Sequence, residues 1–306
     1  MSIAPGIVAA SQGYLLDDYS GASCALSTRQ LKRDYTGYAV KVRETGDNYQ
    51  ADVSFDEDGV ISLSSLIANE TGGIGPTLGD FVSSNDAHIV TWYCLANGND
   101  ATADSTSAQP QIIDAGAIIN QSGHPVVDFD GSDHGMTIAD TADLSFTDGS
   151  GTDTPAAFFV THNLNELSSG NTLISKDAGG SSREWAWFFD GSHQRLFIKS
   201  GGGNNQQSYD DDDTAIGWQL ASLLYSGNES YTGIQFYRNG TASTMTDSFS
   251  QTYSGMSNTG ADILIGTRYN GACLSTEVAE IILYKTDQST TRSSIESRIN
   301  NHYSLY

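Results

Sequence analysis

Three aspartates at short spacing, Asp128, Asp130 and Asp133, lie in the run Pro125-Val126-Val127-Asp128-Phe129-Asp130-Gly131-Ser132-Asp133. Clustered carboxylates and carbonyls are the oxygen ligands that calcium takes, so the trio is a candidate calcium site. The same residues also suit a tight turn, because Asp side chains cap local backbone N–H groups and Gly131 accepts positive φ. Both readings stand, and no cofactor is required. The acidic run Asp210-Asp211-Asp212-Asp213 reads as a solvated loop, with calcium as its alternative. Trp185, Trp187 and Trp218 have the ring surface on which sugars stack. Trp185 and Trp187 fall on one face of a strand, so they either line a carbohydrate-binding surface together or pack in the core together.

Hydrolysis of a glycoside needs two carboxyl groups, about 5–5.5 Å apart for retention or about 6.5–9.5 Å for inversion. Glu277 and Glu280 are available. Residues three apart on a regular strand point to opposite faces, so these two are not expected to converge. The Glu-x-Asp-x-x-Glu pattern of laminarinase-type sandwiches is absent. The six histidines lack ligand spacing, and no nucleophile elbow, P-loop or dinucleotide fingerprint occurs. The local patterns therefore lead to a non-enzymatic protein.

Bulk properties narrow the partners. The chain of 306 residues carries 14 basic and 37 acidic residues, a net charge of −23. Such a surface repels phosphate backbones, which argues against nucleic-acid binding. No run approaches the ~20 apolar residues of a membrane span. The N-terminal residues 1–10 lack a basic region, and Pro5-Gly6 breaks their short apolar stretch, so no secretion signal is expected. Cys24, Cys94 and Cys273 are odd in number, far apart and without metal-ligand spacing, and read as buried small hydrophobes.

The elements that must position these groups are mostly strands. From Val126 onward, short apolar runs bounded by Gly, Asn, Asp or Ser predict strands at Ala156–Thr161, Thr172–Lys176, Trp185–Phe189, Arg195–Lys199, Trp218–Tyr225, Gly233–Arg238, Ile263–Gly266 and Val278–Tyr284. That density of strands and turns predicts an all-β sandwich. Ile295, Ile299 and Tyr303 recur at helical spacing, predicting a closing helix from Thr290 to about His302, started by Ser289. Residues 21–120 form an N-terminal elaboration. It holds alternating strands at Val40–Arg43 and Ala51–Phe55, a short helix from Ser62 to Ala68, and a strand at Ile89–Tyr93. Residues 1–20 read as an arm whose Ile3, Ile7, Val8, Leu15 and Leu16 are candidates for assembly contacts with another subunit or a neighbouring protein.

Residues 121–306 resemble a laminin-G-like, concanavalin A-type jelly roll. The resemblance rests on Asp128-Phe129-Asp130-Gly131, Thr172-Leu173-Ile174-Ser175-Lys176, Phe188-Phe189-Asp190-Gly191, Phe236-Tyr237-Arg238-Asn239-Gly240, Ile263-Leu264-Ile265-Gly266 and Glu280-Ile281-Ile282-Leu283-Tyr284, in that order. Residues 20–104 resemble the N-terminal part of α-L-arabinofuranosidases of the B family and of lectin-like proteins from bacteriophages and marine bacteria. The matching residues are Tyr19-Ser20-Gly21-Ala22, Leu26 to Leu31, Tyr35-Thr36-Gly37, Val40 to Arg43, and Tyr93 followed by Asn97 to Thr102. Tyr93-Cys94-Leu95-Ala96 stands where the pattern runs Tyr-Asp-Gln-Ser, and the adjacent cysteine pair of the enzymes is missing.

These resemblances imply a concanavalin A-like jelly-roll sandwich with an N-terminal elaboration and a C-terminal helix. The expectation they carry is a non-enzymatic bacteriophage virion structural protein, a capsid decoration or a tail-associated protein. It would self-associate, contact other virion proteins and bind cell-surface glycans. The alternatives are a bacterial carbohydrate-binding adhesin module and an arabinofuranosidase-like glycosidase.

Overall fold

Apolar alternation in the second half of the chain resolves into two antiparallel sheets packed face to face. The computed structural model describes residues 13–72, 75–148, 150–166, 171–190, 193–200, 206–211, 216–250 and 252–306. The front sheet runs Val127–Asp130, Ser275–Tyr284, Ala156–Leu164, Gly217–Tyr225, Ile234–Arg238. The back sheet runs Met136–Ile138, Ile263–Ile265, Asn171–Asp177, Arg183–Asp190, His193–Lys199, Gln206–Asp211, Met245–Ser250. The fold is thus the all-β sandwich expected. Six of the eight predicted strands run one to three residues longer, because polar residues such as Glu277 and Asn163 continue the ladder beyond the apolar runs, while Ile234–Arg238 and Ile263–Ile265 each lose a terminal glycine.

Side chains alternate in and out along each strand, and the inward set meets between the sheets. Phe158, Val160 and Leu223 of the front sheet face Ile174, Trp185, Trp187, Leu196 and Ile265 of the back sheet. Phe158 meets Trp185 and Trp187 edge-on, with ring centroids 5.3 and 5.9 Å apart. Gly266, at φ +71°, lets the chain close over the Phe129 ring, where a Cβ would lie 2.3 Å from the ring edge.

The N-terminal elaboration extends both sheets. Cys24–Ser27 pairs with the C-terminal half of Ser275–Tyr284, on the edge whose other half takes Val127–Asp130. Gln111 pairs with Asp128, and Thr102 with Thr137. Behind these lie Val40–Glu44, Gln50–Val53 and Ala87–Trp92. The helix predicted at Ser62 to Ala68 does not form. Ser62, Ser64 and Ser65 bond each other's hydroxyls and backbone N–H groups, an alternative to helical bonding open to serine. Ile67–Ala68 joins a strand pair instead, and the helix falls at Leu78–Val82, capped by Thr77. All three cysteines are buried and unpaired.

A second apolar layer covers half of the front sheet's outer face. Ala157, Phe159, Leu220, Ile282 and Tyr284 pack under Ile295, Ile299 and Tyr303 of the terminal helix, Arg292–Tyr303. The helix starts after Thr291, whose side chain makes no capping bond, so Ser289 is not its cap. Leu15 and Leu16 are buried in the same layer, so they pack on their own domain and are not free for a partner. Ile3, Ile7 and Val8 lie outside the described residues. No helix among the described residues is long and apolar enough to cross a membrane.

Two outcomes follow from this packing. Ile299 is fully buried, so Ile299→Ala should cost about 2–5 kcal/mol in denaturant unfolding. A cost under about 0.5 kcal/mol would mean the helix is not integral to the sandwich. The inward-facing His162 is fully buried, and burial alone pushes its imidazole down to about 4. Between pH ~6.5 and ~4 the unfolded chain therefore binds a proton that the folded chain refuses, and stability is lost as pH falls through that window. Thermal melts at pH 7 and pH 4.5 should show a smaller drop for His162→Leu than for the wild type; equal drops would contradict this role.

Candidate functional site

The terminal helix stops short of one end of the front sheet, and there the outer face turns polar. Along each strand one residue beyond the covered layer emerges. Val126 is buried and Asp128 is half-exposed; Leu220 is buried and Trp218 half-exposed; Thr161 is buried and Asn163 half-exposed. Cross-strand register lines these residues up. His88 pairs with Gln111, Gln111 with Asp128, Asp128 with Glu277, Glu277 with Asn163, and Asn163 with Trp218. The result is one polar row across six neighbouring strands.

Asp128 and Glu277 stand directly opposite one another, a relation that sets Cβ atoms about 4.5–5.5 Å apart. Burial and the facing Glu277 carboxylate push the Asp128 carboxyl up from its ordinary value. Asn163 Nδ2 donates to Glu277 Oε2 at 2.8 Å and fixes that carboxylate. Trp218 closes the row, its indole Nε1–H buried and without an acceptor among the described residues. Its ring meets Tyr303 edge-on at 5.7 Å. His302 and His124 meet at a tilt, ring centroids 4.8 Å apart, beside Tyr303. Burial, then Arg29 and His124, hold the His302 imidazole down at about 3; burial and Arg29 lower His124. The wall beside the row is therefore aromatic and uncharged near neutral pH.

An irregularity in the central strand sets up this face. Thr161 pairs with Glu280 while His162 pairs with Val278, so Ala279 is an extra residue in the ladder. Glu277 and Glu280 consequently share the outer face, which corrects the expectation that they point apart. They do different things. Glu280 is buried beneath the helix and accepts from Arg29 Nε at 2.7 Å, Arg29 Nη2 at 3.1 Å, Ser27 Oγ at 3.1 Å and Tyr303 Oη at 3.3 Å. Glu277 faces solvent beside Asp128.

The residues singled out from sequence are redistributed. Trp185 and Trp187 are fully buried, donating to Leu144 O and Gln194 Oε1 at 3.1 Å each, so neither offers a ring to a surface sugar. The aspartate trio is divided. Asp130 Oδ1 accepts the N–H groups of Ser132, Asp133 and His134, as a turn aspartate does. Asp130, Asp133 and His134 place ligand atoms within 4.8 Å of one another. Asp128 faces Glu277 and is not in that group, and an imidazole suits calcium poorly. Of the acidic run at 210–213, Asp210 and Asp211 lie in a strand, and the other two lie outside the described residues. Local patterns singled out Glu277 but paired it with Glu280, and missed Asn163 and the Asp128–Glu277 opposition; their only trace is a polar residue at an outward position of a strand otherwise buried.

Solved structures with a similar fold include arabinofuranosidases. An arabinofuranosidase complexed with arabinofuranosyl-α-1,2-xylobiose matches 93% of this chain with a TM-score of 0.61 at 13% identity. A GH54 α-L-arabinofuranosidase soaked with a cyclic sulfate inhibitor gives 0.62 at 14%. A glutamate-to-glutamine mutant of a GH54 α-L-arabinofuranosidase, soaked with 4-nitrophenyl α-L-arabinofuranoside, gives 0.60 at 15%. The chain spans 64% of the length of each. No family model and no curated protein matches. The expectation of a non-enzymatic protein is corrected here: three solved structures that share the fold over 93% of the chain are enzymes, and the chain brings together opposed carboxylates that local sequence patterns failed to reveal.

The Arg29–Glu280 pair anchors the wall of the row and can be tested alone. Removing one partner of a buried ion pair strands the other charge and costs about 3–5 kcal/mol. Arg29→Met should lower stability by that amount, while Arg29→Met with Glu280→Met should recover most of it in urea unfolding. A single variant as stable as wild type would contradict the pairing.

Proposed function

We propose that the protein is a glycoside hydrolase of arabinofuranosidase-like fold, with its reaction centre at Asp128 and Glu277. The observation that carries this reading is the cross-strand opposition of the two carboxylates. Direct opposition puts the two carboxyl groups on one face of neighbouring strands, and the retaining mechanism is the one that uses a close pair. Unequal surroundings divide the roles. Asp128, whose carboxyl is pushed up by burial and by Glu277, is the general acid that protonates the departing glycosidic oxygen. Glu277, held by the Asn163 amide, attacks the anomeric carbon. Water then hydrolyses the glycosyl–Glu277 ester, with the Asp128 carboxylate taking its proton. Trp218, half-exposed at the end of the row, offers the edge of its ring to the adjoining sugar.

The test uses 4-nitrophenyl α-L-arabinofuranoside and arabinose-substituted xylo-oligosaccharides. Asp128→Asn and Glu277→Gln should each reduce kcat/KM at least a hundredfold. Activity should fall as pH rises through the elevated Asp128 value, because the acid must carry its proton, and that limb should vanish in Asp128→Asn. Turnover undiminished in both variants would contradict the assignment. Saccharide binding through Trp218 without turnover would favour a binding module. The bacteriophage virion stays a proposal of location, tested by mass spectrometry of purified particles.

A further inference from the structure

The outer face of the back sheet, on the far side of the sandwich from the carboxylate row, carries an arginine–aromatic cluster of a different kind. Trp185, Trp187, Leu196 and Ile198 point inward, so Phe188 and Phe197 point out. The loop after Ile263–Ile265 folds Arg268 and Tyr269 over them, and Arg183 joins from the neighbouring hairpin. The Arg268 guanidinium lies 5.1 Å from the Phe188 ring centre and 5.9 Å from that of Phe197. Arg183 lies 4.7 Å from the Tyr269 ring centre and donates to its hydroxyl. Gly179, at φ +82°, makes room for the Tyr269 ring, where a Cβ would sit 2.8 Å from Cδ2.

One carboxylate serves both arginines. Asp177 is fully buried, accepting from Arg268 Nε at 2.8 Å and facing Arg183 Nε at 3.1 Å. The cluster therefore keeps one positive charge in excess, in a chain whose net charge is −23. Asp177 takes Nε and Nη2 of Arg268 and faces Nε of Arg183, whose Nη2 goes to Tyr269, which leaves Nη1 of each guanidinium without a hydrogen bond among the described residues. On the same face, the buried Ser175 Oγ has no partner among the described residues. Tyr269 remains 44% exposed.

We infer that this cluster is a binding site for an acidic group carried singly on an otherwise neutral saccharide, a uronate carboxylate or a sulfate ester. Arginine forks match the planar oxygens of carboxylates and bind sulfate oxygens comparably, and a tyrosine ring offers the sugar a stacking surface. The global charge selects the sparseness. A dense polyanion meets long-range repulsion, whereas a lone acidic group meets only the local excess once salt screens beyond about 8 Å at physiological strength.

The site is independent of hydrolysis, so the test uses the Glu277→Gln protein to avoid cleavage. Calorimetry at physiological salt compares xylotetraose bearing one glucuronic acid with plain xylotetraose, and a monosulfated galactan disaccharide with its desulfated form. At least tenfold tighter binding of the uronate form, the sulfated form or both is expected, and the two arms tell which group the site takes. Tyr269→Ala should weaken binding of the preferred form at least fivefold. Arg183→Lys with Arg268→Lys keeps the charge opposite Asp177 but removes the forks, and should abolish the preference while circular dichroism stays native. Equal binding of acidic and neutral forms, a preference surviving in the double lysine variant, or tighter binding of a single-stranded oligonucleotide would overturn the inference. A protein inactive on arabinosides could still pass this test, so the two readings fail separately.

Discussion

The arrangement of the front sheet depends on how Ser275–Tyr284 is held. This strand is flanked on one edge by Cys24–Ser27 and Val127–Asp130, and on the other by Ala156–Leu164. Its last residues are buried on both faces, by the inter-sheet core and by the terminal helix. The extra residue at Ala279 sits where these environments meet. It turns Glu280 under the helix, where Arg29 neutralises it, and leaves Glu277 at the helix-free end beside Asp128. A regular strand would place one of those glutamates in the apolar core, at the cost of an unpaired buried charge. The bulge is thus what permits two carboxylates of opposite fate on one face.

Much of the fold is legible in the sequence because its signals are local. Strand periodicity, the turn formed by Asp130-Gly131 and the Ile295, Ile299, Tyr303 stripe each act within a few residues. The serine-rich stretch from Ser62 misleads, since hydroxyl–backbone bonds compete with the helix that Leu63, Leu66 and Ile67 suggest. The site is far less legible. Asp128 was visible, but in a turn-and-calcium context. Its partner lies on a strand near the other end of the chain, and the Glu277–Glu280 relation inverts through an irregularity that no local pattern announces. Trp185 and Trp187 share a face, as alternation requires, and that face is the core; sequence polarity around them is equally apolar on both sides.

The two outer faces of the sandwich carry different electrostatics. On the front sheet, carboxylates stand beside imidazoles kept neutral by burial, which suits proton transfer to a neutral glycan. On the back sheet, buried Asp177 organises two guanidinium groups over aromatic rings, which suits recognition of one negative charge. Between them the core is mostly apolar, with His162, Gln194 and the Lys176–Glu184 pair buried in it. A saccharide long enough to reach both faces would have to wrap the sandwich edge, so the two sites are best understood as separate.

The central claim, that saccharide occupies the row from Asp128 to Trp218, is tested most directly by hydrogen–deuterium exchange. Glu277→Gln protein would be followed with and without saturating arabinofuranosyl xylobiose. Protection should concentrate in the strands Val127–Asp130, Ser275–Tyr284 and Gly217–Tyr225 near their helix-free ends. Protection confined to the back sheet, or none at saturation, would contradict the account.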